Sequence, residues 1–309
     1  MTLELVKRWN GVSSEQNALL EPSPFGLHEA RQDYRGFQWR TASVDERLLR
    51  RRNSAAHIDL SHAHIEQWTA DNIAIDDVVC HAGHLPGLQF FRSTLTDCHF
   101  ANCDMASNIQ SIFGKCTCTI LHSTIDSCTG TNQWLAGAKR IADSRLLNLT
   151  IADIGVPEPN DAPLITNTTI TGTIKNCVIA QTKGEQQLLD TDISGATLKD
   201  VAFPGVNMDS VTYAEELSPF ILPDWQRHEV QLSDAANAAK HSCDRNIHIA
   251  ALTLLSILKR EKESSYWIKD RWPRGSRFLY ELHPTNRLDR VRQGITQIYD
   301  DAGLLPESF

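Results

Sequence analysis

Ser93-Thr-Leu-Thr-Asp97, Cys98-His-Phe-Ala-Asn102 and Cys103-Asp-Met-Ala-Ser107 are three consecutive groups of five, each with a small residue first and a bulky apolar residue third. Carried backwards, the third position reads Leu60, Ile65, Ala70, Ile75, Cys80, Leu85, Phe90, Leu95, Phe100 and Met105. The first position reads Ile58, Ala63, Trp68, Ile73, Val78, Gly83, Leu88, Ser93, Cys98 and Cys103. A period of five fits neither a helix at 3.6 nor a flat strand at 2.0. The chain is 41% hydrophobic, so ten apolar third positions in succession arise by chance at roughly 10⁻⁴ per starting point. Self-similarity at a fixed short period marks a solenoid, in which each unit buries its apolar face only against the next coil.

The frame has interruptions. Gln110 and Lys115 fall on the next third positions, where an unpaired charge inside a tube is untenable. Asn108 to Lys115 therefore reads as an outward loop, with Ile112 or Phe113 turned in. The rhythm returns at Ile120, Ile125, Gly130 and Leu135, with Cys118, Ser123 and Cys128 as small partners, and drifts through Leu149 and Ile154. Three prolines between Gly155 and Pro163 cannot donate ladder hydrogen bonds and break it. Strand-like pieces follow around Ile170, Ile174 and Ile179, and a new frame holds at Ile193, Leu198, Phe203, Met208 and Tyr213.

The stretch 93–107, and with it Ala196-Thr-Leu-Lys-Asp200, Val201-Ala-Phe-Pro-Gly205 and Val206-Asn-Met-Asp-Ser210, resembles the pentapeptide-repeat family. The resemblance implies a mostly β chain wound as a right-handed quadrilateral β-helix. Four groups of five make one square coil of about twenty residues, and coils stack at about 4.8 Å. The expected organisation is an N-terminal cap over residues 1–56, then a β-helix over 57–213 with an irregular insertion at about 136–167. An α-helical domain follows over 214–309.

A chain of 309 residues accommodates one large domain or two ordinary ones. It holds no apolar run long enough for a membrane span, and its first 30 residues lack a basic-then-apolar leader. The expectation is a soluble bacterial protein of the cytoplasm, with secretion into a host cell as the alternative. The net charge of −8 is unevenly placed: residues 58–213 carry 17 acidic against 8 basic side chains. That balance disfavours direct nucleic-acid binding through the walls and suits a basic protein partner.

Seven of the eight cysteines lie between Cys80 and Cys177. Cys98, Cys103, Cys118, Cys128 and Cys177 fall on the small inward position and Cys80 on a bulky one, so they read as packing residues in a reducing compartment. Metal or disulfide use is the minor alternative; Cys116-Thr-Cys118 lacks zinc-type spacing.

After Pro219 and Pro223 the pattern turns helical. Asp224 is placed to cap a helix to about His241, and Ser242 or Asp244 a second, broadly apolar one from Ile247 to Leu258. That breadth implies burial in a bundle, on the solenoid's end or in a homodimer. A third helix runs through Leu288, Val291, Ile295 and Ile298, closed by Gly303. Between the last two, Trp267, Arg271, Trp272, Arg274 and Arg277 interleave aromatic and basic side chains as candidate partner-binding residues.

No phosphate-binding glycine loop, HExxH helix or GxSxG elbow is present, and no catalytic residue, cofactor or metal is assigned. Twenty-residue coils would stack His64, His84, Asp104 and Thr124 in one outward column, a secondary metal-ladder candidate, and His62, Ala82, Asn102 and His122 in another. Trp225-Gln-Arg-His-Glu229 matches the WxxxE pattern of some bacterial effectors that act on host small GTPases. The leading expectation is a non-enzymatic binding rod with an acidic surface. The family resemblance adds mimicry of duplex DNA towards DNA gyrase or a related topoisomerase. The alternatives are a type III-like secreted effector or adaptor acting on a host protein, and a small enzyme site at the solenoid–helix junction around His228, His241 and His283.

Overall fold

The computed structural model describes residues 2–10, 12, 22–39, 54–66, 68–86, 88–105, 118–130, 138–154, 163–179, 188–263 and 275–305. It is mostly β, a parallel β-solenoid with helices towards the C-terminus. The chain packs as two compact units, Met1–Ala152 with Ile165–Thr173, and Asp153–Leu164 with Ile174–Phe309.

Four walls build the solenoid of the first unit. One stacks Ser54–Asp59, Ala74–His81, Thr94–Thr96, Cys118–Leu121 and Ala138–Ala142 in parallel. The second stacks the end of Ala74–His81 with His99–Ala101, Thr124–Asp126 and Arg145–Ala152. The third runs from Gln38–Trp39 to His64–Ile65 and on through single bridges at His84, Asp104 and Thr129. The fourth pairs Trp68–Asp71 with Leu88–Phe91. The expected inward pair is observed: Ile58, Leu60, Ile65, Ile73, Ile75, Leu85, Phe90, Leu95 and Phe100 are all buried.

The corners explain why the repeat is five residues long. His57, His62, Asn72, Asp77, Ala82, Arg92, Asp97 and Asn102 all adopt positive φ between 49° and 62°, in step with the repeat. Asp, Asn and His tolerate that left-handed conformation better than most residues, which accounts for their frequency here. The residue after each corner then points inward, and when it carries a hydroxyl or thiol it donates back across the corner. Ser93 Oγ donates to the Phe91 carbonyl at 2.8 Å, Ser123 to Leu121 at 2.7 Å, Ser144 to Ala142 at 2.7 Å and Thr168 to Thr166 at 2.8 Å. Cys98, Cys103 and Cys128 repeat the contact at 3.3–3.4 Å. The small position thus fills the tube and also satisfies a carbonyl that the bend takes out of the ladder.

Coil length varies where constant twenty-residue coils were expected. Phe100 pairs with both Cys80 and Ile125, so one coil takes twenty residues and the next twenty-five. The next coil takes twenty-one, Ile120 to Ile141. Within the stretch expected as an irregular insertion, about 136–167, Ala138–Ala142 pairs with Cys118–Leu121 through a register shift and Arg145–Leu147 pairs with Thr124–Asp126, while residues 155–162 lie outside the described residues. Gln110, Ile112, Phe113 and Lys115 lie outside the described residues.

A short helix and two strands precede the first coils, in the segment expected as a cap. Helix α1 (Thr2–Lys7) delivers Trp9 onto Phe25, Tyr34 and Phe37, with ring centroids 4.8, 5.6 and 5.1 Å away. Gly36 has φ 73°, and a Cβ there would meet the Leu5 backbone at 2.6 Å, so helix and turn touch through glycine. Strand Arg31–Asp33 then pairs in parallel with Ser54–Asp59, joining this segment to the first coil. Burial pushes the Asp33 carboxyl up, but Arg8 at 2.6 Å and Arg35 at 2.9 Å outweigh it and hold it well below the usual range.

In the second unit, Thr191–Asp192 pairs in parallel with Val211–Thr212, and Ile179 N–H donates to the Ala202 carbonyl at 2.9 Å. Helices α2 (Trp225–Ala239), α3 (Arg245–Glu263) and α4 (Asp289–Asp301) pack around Leu232, Ala236, Ala250, Leu254, Leu258, Ile295, Ile298 and Tyr299. All three were legible in the sequence. Asp244 is the cap of α3, its Oδ1 accepting from Asn246 N–H at 2.7 Å. Its apolar breadth is not fully buried: Ile249 and Leu252 are exposed. Gly294 brings α4 against α3, since a Cβ there would lie 2.6 Å from Ala250 Cβ.

Candidate interaction surface

Because the inward positions are packed, chemistry in the first unit lies in the outward columns and at the corners. The sequence-predicted column forms for its first three members. His64, His84 and Asp104 bridge in parallel succession, the two imidazole centroids lie 4.7 Å apart, and His84 Nδ1 is 2.8 Å from Asp104 Oδ2. The fourth member is Thr129, whose Oγ1 donates to Asp104 at 2.8 Å, and Thr124 pairs with His99 instead. The second column is corrected likewise. Asn102 N–H donates to the Asp126 carbonyl, aligning its corner with Ser127, and His122 follows Asp97. The cause of both corrections is the twenty-five-residue coil, which keeps the five-residue phase but moves every later residue one wall along.

Several side chains in these columns bond along the stack. Asn102 Nδ2 meets His81 Nε2 of the preceding coil at 3.3 Å, while His64 Nε2 meets Glu66 of its own coil at 3.2 Å. Asn148 Nδ2 donates to Asp126 at 2.8 Å and Asn167 Nδ2 to Asp143 at 2.7 Å. The Asn148 contact, with Ser127, holds the Asp126 carboxyl below its usual range. Burial pushes Asp77 up, but His57 at 2.9 Å and Arg31 at 2.6 Å more than offset this. Among the described residues, no group of three or more His, Cys, Asp or Glu is arranged to hold a metal ion.

One corner column collects the charge. His57, Asp77, Asp97, His122 and Asp143 occupy the same corner of successive coils: His57 meets Asp77, Asp97 N–H donates to Leu121, and His122 N–H donates to Ala142. Three of these five are carboxylates, and Asp76 stands beside Asp77 on the same wall. Sequence reasoning gave the outward phase of these residues but missed that they form corners. Their signal was present, an Asp, Asn or His two places after most bulky inward residues.

The cysteines behave as packing residues. Cys80, Cys98, Cys103, Cys118, Cys128 and Cys177 are free and buried, while Cys243 is exposed. Burial raises the Cys98 thiol to about 12 and raises Cys177 as well. Cys116 lies outside the described residues. Under native conditions Ellman's reagent is expected to modify Cys243 within minutes and these six only on unfolding. Rapid native modification of a Cys243→Ser variant at Cys98 or Cys103, read by peptide mapping, would contradict an interior position.

Of the partner-binding cluster expected from the sequence, Arg277 falls among the described residues. Trp267, Arg271, Trp272 and Arg274 lie outside the described residues. Arg277 is inside: it is 7% exposed, sits on strand Arg277–Phe278 antiparallel to Ile221–Leu222, and its guanidinium lies 5.7 Å from the Trp225 ring. Trp225, the first residue of the WxxxE pattern, is 3% exposed and is the start of α2. His228 and His241 are separated by the length of α2, about 20 Å, and do not converge with His283 on a common site.

No helix among the described residues is long and apolar enough to cross a membrane. Compared with known protein families, curated proteins and solved structures, the chain matches none.

Proposed function

We propose that this protein is a non-enzymatic, pentapeptide-repeat-type binding solenoid that offers carboxylate-bearing walls to a basic protein partner. The observation that supports this reading is the corner column in which Asp77 and Asp97 stand on adjacent coils and Asp143 two coils further on, beyond His122, on a scaffold whose interior is packed. Rigid strands hold these charges without ordering cost on binding, which favours recognition over catalysis.

The finer form of the proposal is partial mimicry of duplex DNA towards a type II topoisomerase such as DNA gyrase. Magnitudes limit it. Residues 58–213 carry 17 acidic and 8 basic side chains, or roughly one net charge per 4.8 Å coil, against about three for duplex DNA over that rise. Attraction to a DNA-binding groove is therefore expected to be weaker than that of DNA and to fall steeply with salt. In a gyrase supercoiling assay, micromolar protein is expected to inhibit supercoiling at low salt and to lose the effect as salt rises. Unchanged supercoiling, together with no protection from a fluoroquinolone, overturns the topoisomerase assignment.

A further inference from the structure

His283 is the buried histidine of the second unit, 8% exposed, between the rings of Phe220 at 5.2 Å and Phe278 at 5.6 Å. Its hydrogen bonds define its protonation state. Thr285 Oγ1 accepts the Asp200 N–H at 3.2 Å and lies 2.6 Å from His283 Nδ1. The Thr285 N–H also points at Nδ1, at 3.4 Å. A backbone N–H can only donate, so Nδ1 is an acceptor, the threonine hydroxyl donates to it, and the ring proton resides on Nε2. The imidazole is neutral and forms one end of a relay, Asp200 N–H to Thr285 Oγ1 to His283 Nδ1.

That relay attaches a turn to a strand. Asp200 lies in Ala196–Ala202, whereas His283 and Thr285 follow the short 3-10 helix Tyr280–Leu282. Arg287 adds an ion pair to Asp200 and a hydrogen bond to Asn176 Oδ1 at 2.6 Å. Phe278 meets Phe203 with centroids 5.5 Å apart. The attachment includes the exposed arginine and the histidine relay, with the aromatic contact next to them.

We propose that residues 280–288 are an acid-labile latch on strand Ala196–Ala202, opened by protonation of His283. A proton on Nδ1 places donor against donor at the Thr285 N–H and reverses the demand on the Thr285 hydroxyl. It also places a charge on a ring that is 8% exposed, which burial disfavours. The charged neighbours on each packed element are Asp200 on the strand, Glu281 and Tyr280 on the 3-10 helix, Arg277 beside Phe278, Arg287 in the turn and Arg292 on α4; Phe220 brings a ring and no charge. Burial holds the imidazole below its ordinary value and Arg292 adds to this, while Asp200 opposes it in part. The sign follows: the unfolded or opened turn takes up the proton first, so the latch is fully held above the ordinary histidine range and weakens as pH falls through and below about 6.5.

The test is residue-resolved hydrogen exchange of the full chain at pH 7.5 and pH 5.5, corrected for intrinsic rates. Protection of the Asp200 and Thr285 amides is expected to fall severalfold at pH 5.5, with tenfold as the ceiling for one proton and an ordinary opened-state value of about 6.5, and amides of α2 and α3 unchanged. His283→Asn, whose Oδ1 reproduces an acceptor near Nδ1 without titrating, is expected to keep its protection at both pH values. In the wild-type protein, long-range ¹H–¹⁵N spectra of the imidazole are expected to show the Nε2–H form and a titration midpoint below the ordinary histidine value of 6.5. Unchanged wild-type protection, an Nδ1–H form, or a midpoint at or above 6.5 each overturns the proposal, and the last two readings do not depend on the variant folding.

Discussion

Leu95→Asp is expected to unfold the solenoid of the first unit. Leu95 is 1% exposed, and its strand is paired on both sides, with Ile75 before it and Ile120 after it. Its side chain occupies the tube, where the neighbouring inward residues Ile75, Phe90 and Ile120 present only hydrocarbon. Removing the leucine forfeits about 2–5 kcal/mol of transfer and cavity energy. An aspartate in its place is either ionised without a partner or protonated without one, which adds several kcal/mol. The total, about 5 kcal/mol or more, is comparable to the whole stability of an ordinary domain. Urea unfolding followed by far-UV circular dichroism reads the effect, with Thr96→Asn on the outward side of the same strand changing stability by about 0.5 kcal/mol or less. A Leu95→Asp variant within 1 kcal/mol of wild type would mean that this side chain does not face the tube, and the two-residue filling of the coils would fail with it.

The second large effect belongs to a glycine. Gly172, within strand Thr169–Val178, has φ 104°, and a Cβ built there overlaps the Leu149 carbonyl oxygen and lies 2.6 Å from the Leu149 nitrogen. Both obstructing atoms are backbone of strand Arg145–Ala152, which cannot withdraw without breaking its ladder. Gly172→Ala is therefore expected to cost about 3 kcal/mol or more, the sum of a disfavoured φ and a backbone collision. Gly26→Ala separates the two terms, since Gly26 has φ 76° with nothing within 4 Å of its would-be Cβ. That change is expected to cost about 1 kcal/mol, the conformational term alone. Equal losses for both variants, measured by the same urea titration, would show that the approach of Gly172 to Leu149 is not a tight one.

The phase of the five-residue rhythm placed Leu60, Ile65, Leu85, Phe100 and Ile120 inward from local order alone, and all are buried. The three C-terminal helices were legible for a similar reason, since caps and apolar spacing lie within a few residues of one another. Gly172 left no such mark, because its constraint comes from Leu149, more than twenty residues earlier, and a glycine among threonines reads as an ordinary weak strand position. The exposure of Ile249 and Leu252 was equally hidden, because periodicity gives the apolar arc of α3 and not how much of it α2 and α4 cover. His283 was named only as a possible catalytic group. Its acceptor role depends on Thr285 beside it and on Asp200, 83 residues away in the chain.

What the amino-acid order determined by itself is the content of each wall: which residue fills the tube, which lies beside the corner, and which faces outward. These are decided within five residues by volume and by tolerance of positive φ. What only the tertiary structure decided is which outward residues become neighbours. Membership of a column depends on the number of residues in each coil, and an extra group of five leaves the local rhythm intact while turning the next wall by one corner. For that reason Thr129 and not Thr124 stands beside Asp104, and Asp77, Asp97 and Asp143 share a corner. Strand pairing settles that count, because hydrogen bonds form between coils and carry no trace in the spacing of a single one.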